Sequence, residues 1–591
     1  MLEIESFSAL NERFPDIGFH LSFSQYEPFE LFEDKERKIN AKRSVQFLHS
    51  PTSIPEELKQ WQSRLDLHEK EIIYIYGIGL GYYYEVLKSW LAEKRERMII
   101  FLEDDIAVFE ALVKIDSNLI SDPQVHIRYI PNHHDLDQLL EELVQNYPCD
   151  RIEVSALESY RHRFPKKCRD IQIMLFRKTT LFSALMSDVL YSHKLFANLL
   201  KNFKRLPEAF FANRLKNAFT GIPAIICGAG PSLQESIPFL REMENKALII
   251  AGGSSFTALT AQMVLPHLGM ALDPNPDEYL RLKPNCGFEV PIIYGNRVLP
   301  DIFGTLNGPH GYLRSETGGS CELWMEDKLG IDADSIGPDL DREALSVTTL
   351  GLSLAYAMGC DPIILTGVDL AYTNMQRYAS GVMTSVGVSS DQLKQVSKAS
   401  DKLIRKKGSN GKMVYTLIKW LMESDSISIY AKERPERTFI NATSGGIGFS
   451  GLPYISLETA IKERCQLTHD IRGRVHTLIQ QFRFSGIETN SHVQELKKSL
   501  ERCLCICDEM LMEIQNNKEN PSQTGKMVIL EIDFQEEMAF DCLLSALGPA
   551  LDRIMNRCHS NSQQNDLDRF QTKWSHIKSL INSTLNSYSS A

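Results

Sequence analysis

The chain has 591 residues, 43% of them hydrophobic and 24% charged, with a formal net charge of −12. That length exceeds the reach of one hydrophobic core, about 250 residues, and the composition lies far from the low-hydrophobicity regime of disorder. An acidic chain also lacks the clustered Lys and Arg that displace counterions from a nucleic-acid backbone, which excludes nucleic acid as its main partner.

The opening stretch to Phe14 carries no basic n-region and no apolar h-region. No run approaches the roughly 18 apolar residues of a membrane span, so the expected location is the cytoplasm. Twelve cysteines are scattered without an extracellular framework and read as reduced, buried thiols. Cys503, Cys505 and Cys507 alternate with apolar residues in a helical stretch; positions two apart on a helix face different sides, which argues against a metal there.

In chain order, residues 71–76 form a short apolar β-prone run that leads into Gly77, Gly79 and Gly81 and then a helical stretch from Tyr82. A second strand ends on Glu103 and Asp104, where Rossmann-like domains place an acid for a ribose. These glycines could cradle a nucleotide or methyl donor at a helix start. The tyrosines at 82 to 84 would crowd such a ligand and favour a plain βα turn. Residues 1–150 are therefore expected to form a small Rossmann-like domain and 151–220 a helical connector.

Residues 221–455 hold four buried-type strands, beginning near Ala224, Ala247, Val290 and Asp361, separated by helical segments. That pattern predicts a second Rossmann-like unit around a parallel sheet. From 456 to 591 the periodicity is helical and predicts a bundle, with polar breaks at 516–525 and 559–566 as its turns. The fold class expected is α/β, with two Rossmann-like parallel-sheet domains followed by a helical C-terminal domain.

The strongest local signal is the turn Gly228, Ala229, Gly230, Pro231, Ser232, Leu233 after an Ile-Ile strand. Its glycines allow close approach, Pro231 suits a first helical turn and Ser232 adds a hydroxyl, so it suits a phosphate-like anion. Gly252, Gly253, Ser254 and Ser255 end the next strand and Asp273 ends a third segment. All lie where open α/β sheets bind ligands, at the carboxyl ends of strands near the switch in strand order. Asp273 could grip a sugar or ribose hydroxyl, or simply serve as a turn residue before Pro274. Further along, Ser346 and Thr348 precede a helix, and a strand ends in Gly367, Val368, Asp369 with Tyr372 and Tyr378 beyond it.

Together these segments resemble the motility-associated factor family, whose members transfer nonulosonic acids to flagellin, and more distantly the family-42 bacterial sialyltransferases. The resemblance spans about 70–460 in motif order. It implies that Gly228, Gly230, Pro231 and Ser232 contact the CMP part of a donor. It also implies that Tyr372 and Tyr378 assist phosphate departure, the first tyrosine being shifted by one position. Two phenol donors could stabilise that charge without a metal. Asn441, Ala442, Thr443, Ser444, Gly445 and Gly446 match a Gly-rich loop near the family's active cleft, and Thr317, Gly318, Gly319 and Ser320 add a second such loop.

One departure concerns the general base: the sialyltransferases use a histidine downstream of the tyrosines, and this chain has none between His310 and His469. Deprotonation of an acceptor would fall to Asp369, Asp273 or another carboxylate. The expected function is transfer of a CMP-activated nonulosonic sugar to Ser or Thr of a protein acceptor such as flagellin, with no metal or other cofactor. The central domain also resembles the 6-hydroxymethyl-dihydropterin pyrophosphokinases, MptE-like proteins that would use ATP and Mg²⁺ held by Asp273 and Asp369. A binding protein that has lost its base is the third reading.

Overall fold

The computed structural model describes residues 2–115, 118–131, 147, 149–315, 317, 319–338, 345–382, 389, 403–519, 524–547, 551 and 566–589. They fall into two compact units, Met1–Leu185 and, almost entirely, Met186 onward.

The first unit carries a three-stranded antiparallel sheet, β1 (Glu30–Glu33), β2 (Ile39–Arg43) and β3 (Gln46–Phe47). Its larger sheet is parallel: β4 (Ile72–Tyr76), β5 (Met98–Glu103), β6 (Val125–Tyr129) and β7 (Ile152–Ala156), in the order β6-β5-β4-β7. β7 thus lies past residue 150. β4 is buried along its whole length, as its unbroken apolar run requires of a central parallel strand.

The glycine turn after β4 is filled by the unit's own side chains. A Cβ on Gly77 would stand 2.8 Å from Leu157 and 2.9 Å from Tyr160, and one on Gly79 would stand 2.7 Å from His49 Nε2. The Leu80 N–H donates to His49 Nε2 at 3.1 Å, while His49 Nδ1 faces Glu57 at 3.1 Å. Glu103, expected near a ribose, is fully buried. It accepts the Ile78 N–H at 2.9 Å, the Asp104 and Asp105 N–H groups at 3.0 Å and the Tyr160 hydroxyl at 2.6 Å. These contacts make the turn a tight structural connection.

The second unit is built on eight strands: β8 (Phe210–Phe211), β9 (Ala224–Cys227), β10 (Leu248–Gly252), β11 (Leu268–Ala271), β12 (Ile292–Tyr294), β13 (His310–Tyr312), β14 (Ile363–Thr366) and β17 (Phe439–Asn441). Their order is β17-β14-β9-β10-β11-β12-β13-β8, and every pairing is parallel. Four of these strands stand out in the sequence; the other four are two to four residues long. From β9 the chain steps outward through β13, then crosses back to place β14 on the other side of β9. The switch in strand order therefore falls between β9 and β14.

Side chains alternate across the sheet. Ile225, Cys227, Ile249 and Ala251 face one apolar cluster, and Ala224, Ile226, Leu248 and Ile250 face the other. The first cluster runs without a break into the C-terminal helices through Leu500, Cys503, Cys507, Trp574 and Ile581. Helix Asp566–Ser589 packs against helix Asn490–Glu519 and against helix Ser192–Phe203. On the Asn490–Glu519 helix Cys503 and Cys507 are buried and Cys505 is exposed, as i, i+4 spacing dictates. Of the polar break expected at 516–525, residues 516–519 end one helix and 524–525 begin the next, while 520–523 and nearly all of 559–566 lie outside the described residues. Among the described residues no helix is long and apolar enough to cross a membrane.

An antiparallel hairpin, β15 (Leu403–Lys407) and β16 (Met413–Leu417), stands beside the sheet. Its Ser409 N–H donates to the Gly446 carbonyl at 3.0 Å and its Thr416 hydroxyl to the Leu370 carbonyl at 2.7 Å.

Replacing Glu103 by Ala should destabilise the first unit by about 3 kcal/mol, since four donors lose their acceptor; Tyr160→Phe should cost about 1 kcal/mol. Hydrogen exchange on peptides covering β4 and β5 measures both.

Candidate functional site

Three loops converge at the carboxyl end of β9 and β14, and their shared partner is Asp369. Its carboxylate, 1% exposed, accepts the Ser232 hydroxyl at 2.5 Å and lies 3.4 Å from the Ser232 N–H. Gly230 N–H donates to the Gly367 carbonyl at 2.7 Å, and Gly228 N–H to Thr366 at 2.8 Å. From the third loop, Thr443 Oγ accepts the Val368 N–H at 3.2 Å and Ile447 N–H donates to the Asp369 carbonyl at 3.0 Å. Asn441 caps its own loop by accepting the Thr443 N–H at 3.0 Å. Burial pushes the Asp369 carboxyl up; the Ser232 hydroxyl pulls it down.

The glycines in these loops are required by contact distance. A Cβ on Gly228 would stand 2.4 Å from the Gly367 carbonyl oxygen, one on Gly230 2.2 Å from Asp369 Oδ1 and one on Gly445 2.5 Å from Asp369 Oδ2. Ser232, expected to face an anion, is thus turned inward onto a carboxylate. Its neighbour Ala229 is half-buried, and among the described residues the Ala229 N–H has no partner.

The adjoining strand ends supply further polar groups, of which Ser254, Ser255 and Glu278 are buried. Helix Ser254–Ala261 starts directly after β10, and its N-cap, Gly253 at φ +50°, provides no side-chain cap. Ser255 Oγ turns back to Gly252, accepting its N–H at 3.1 Å and donating to its carbonyl at 2.9 Å. At the end of β11, Asp273 pairs with Arg281 at 2.5 Å, and the same guanidinium nitrogen lies 3.3 Å from Glu278. Glu278 is fully buried, and among the described residues its Oε1 has no partner within hydrogen-bond geometry, although the Leu272 backbone lies close enough to favour its charged form. Burial and then the nearby Asp273 charge raise the Glu278 carboxyl to about 7. Nothing in the sequence but their i, i+3 spacing behind Asp273 signals Glu278 and Arg281.

Tyr378 joins these two neighbourhoods. The next residue, Ala379, donates its N–H to the Ala229 carbonyl at 2.9 Å, and a Cβ on Gly381 would rest 3.0 Å from Ala261. The chain therefore crosses from the Gly228–Ser232 turn to the Ser254–Ala261 helix, and Tyr378 lies close enough to Arg281 to act on its charge. Tyr372 goes elsewhere. It is 3% exposed, its N–H bonds Tyr415 at 2.8 Å and its ring packs on Trp420 at 5.1 Å within a small hairpin cluster. The two tyrosines thus belong to separate apolar clusters. Ser346 caps helix Val347–Ala357 and donates to the buried Glu423 at 2.6 Å; Thr348 also bonds that carboxylate. Thr317 bonds Ser315 at 3.0 Å, while Gly318 lies outside the described residues.

Residues 197–375 match the family model described as 6-hydroxymethylpterin diphosphokinase MptE-like. The matched segment takes in β8 to β14, Ser232, Asp273 and Asp369, and it stops before Tyr378 and β17. Among solved structures the chain is similar to the MAf glycosyltransferase from Magnetospirillum magneticum AMB-1, at 14% identity and a TM-score of 0.44, covering 99% of this chain and 95% of that one. No curated relative matches in sequence.

Gly446→Ala should cost about 3 kcal/mol or more, because φ is +75° and the new Cβ would stand 1.8 Å from the Asp369 carbonyl oxygen. Gly451→Ala, at φ +79° in open space, should cost only about 1 kcal/mol. Urea unfolding compares the two. The raised Glu278 carboxyl means the folded chain keeps a proton that the unfolded chain releases near its ordinary 4.5. Stability should therefore fall as pH rises from 4.5 to about 7 and then level, and Glu278→Gln should flatten that slope in melting curves.

Proposed function

We propose that the chain is a glycosyltransferase that moves a CMP-activated nonulosonic sugar onto a Ser or Thr hydroxyl of a protein acceptor such as flagellin, in the bacterial cytoplasm. The observation that carries this reading is the crossing segment, in which the Ala379 N–H bonds the Ala229 carbonyl and so brings the neighbouring Tyr378 to the carboxyl ends of β9 and β10, beside the switch in strand order of a parallel sheet. In the reaction the acceptor hydroxyl attacks the anomeric carbon, the bond from that carbon to the phosphate oxygen breaks, and CMP departs with the bonding electrons. Negative charge grows on the phosphate.

The donors at hand for that charge are the Ala229 N–H, the uncapped N-terminus of helix Ser254–Ala261 and the Tyr378 hydroxyl. A helix N-terminus and a phenol stabilise a developing anion without a metal. Asp369 already accepts from Ser232, so the acceptor's proton is left to a carboxylate outside the locked turn.

The family match favours a second reading, ATP-dependent diphosphate transfer to a pterin alcohol with Mg²⁺. Of the two carboxylates expected to hold that metal, Asp369 is engaged by Ser232 and buried, and Asp273 gives one oxygen to Arg281, whose positive charge opposes a cation there.

Calorimetric titration with CMP, CMP-sialic acid and ATP, first in EDTA and then in Mg²⁺, separates these readings. CMP should bind in EDTA, and Ala229→Glu, which sets a charge on the turn without disturbing Asp369, should weaken it by roughly 10-fold or more. Binding of ATP alone, only with Mg²⁺, would establish the second reading. No binding in either condition would leave a protein-binding role.

A further inference from the structure

A sugar hydroxyl donates one hydrogen bond and accepts others, so a carboxylate and a guanidinium held side by side satisfy both needs at once. Asp273 and Arg281 are such a pair. Arg281 uses one nitrogen, Nη1, for both of its bonds, to Asp273 Oδ2 at 2.5 Å and to Glu278 Oε2 at 3.3 Å. Among the described residues its Nε and Nη2 have no partner, nor does Asp273 Oδ1. Both side chains reach solvent, at 28% and 38% exposure.

Glu278 stands behind this pair. It has no exposure, and a Cβ on Gly253 would lie 3.6 Å from its Oε2, 4.0 Å from its Oε1 and 3.9 Å from Arg281 Cδ. The bare glycine thus passes within van der Waals reach of the carboxylate, whose Oε1 has no hydrogen-bond partner among the described residues. The Thr257 hydroxyl fixes the Arg281 carbonyl at 2.6 Å, so the arginine is anchored at its backbone and steered at its tip. Two carboxylates against one guanidinium disfavour a phosphate or carboxylate group at this point and favour neutral hydroxyls, so the anionic part of a sugar acid or nucleotide would lie elsewhere.

We propose that Asp273 and Arg281, with Glu278 as their positioning residue, form a subsite for the vicinal hydroxyls of a sugar; only the choice of sugar rests on the transferase reading. The hydroxyls can come from the transferred sugar or from the ribose of the nucleotide. Glu278 acts through Arg281 and does not touch the ligand.

Saturation-transfer NMR on the full chain tests this with N-acetylneuraminic acid, and in parallel with CMP against 2′-deoxy-CMP. Asp273→Asn and Arg281→Met should lower affinity for a hydroxyl-bearing ligand at least ~5-fold, the loss expected for one charged hydrogen bond. Glu278→Gln should lower it less and leave 2′-deoxy-CMP binding unchanged, a split that general destabilisation would not produce. Arg281→Lys replaces the Met variant if the latter melts early. Loss confined to free N-acetylneuraminic acid identifies the transferred sugar as the ligand, and loss of the preference for CMP over 2′-deoxy-CMP identifies the ribose; either supports the subsite. The proposal is overturned if the wild-type chain binds neither ligand, or if both bind with no dependence on Asp273 and Arg281. Sugar binding that survives while CMP fails to bind would sink the transferase reading and keep the subsite.

Discussion

The bond from the Ser232 hydroxyl to Asp369 holds together the carboxyl edge of the eight-stranded sheet. Three loops from three strands, β9, β14 and β17, meet on one buried carboxylate, and glycines at 228, 230, 445 and 446 let them close onto it and onto one another. A buried carboxylate is tolerated only when its acceptors are used, so the bond and the glycines depend on each other. The hairpin β15–β16 adds to the clasp by bonding Leu370 on one side and Gly446 on the other. What remains free at the edge is what the clasp does not use: Ala229, the start of helix Ser254–Ala261, and the charged set behind β11.

The larger architecture was legible because its strands are Ile-rich runs that end in glycine, a pattern that buried parallel strands share. β8, β11, β13 and β17 were not, because their segments (Phe-Phe, Leu-Gly-Met-Ala, His-Gly-Tyr, Phe-Ile-Asn) hold no Ile-Ile run that would set them apart. The hairpin could have been read from Asn410-Gly411 between alternating residues, a recognised turn signal. At the site, the glycine turns were placed correctly as turns, but their partners were invisible. That the Ser232 hydroxyl turns onto Asp369 is decided by a contact across 137 residues. Spacing likewise grouped Tyr372 with Tyr378, whereas packing on Trp420 draws Tyr372 into the hairpin cluster. Glu278 escaped notice because a single Glu on a short helix has no sequence signature until its burial is known.

The two parallel sheets use the same local device, a glycine turn closed by side chains from other parts of the chain. In the first unit the glycine turn receives His49 and Tyr160, and Glu103 is consumed by four donors. In the second the corresponding turn is closed by Asp369, but the next strand end is left uncapped at Gly253. Sequence motifs alone do not separate a filled turn from an open one; the side chains that enter from other strands do.

Hydrogen exchange of the full chain with and without CMP tests the central claim most directly, because it reports every turn at once. Protection should appear at 228–232, 253–258 and 378–381 and leave 77–81 unchanged. Protection confined to 77–81, or none at the carboxyl edge of the eight-stranded sheet, would contradict the account.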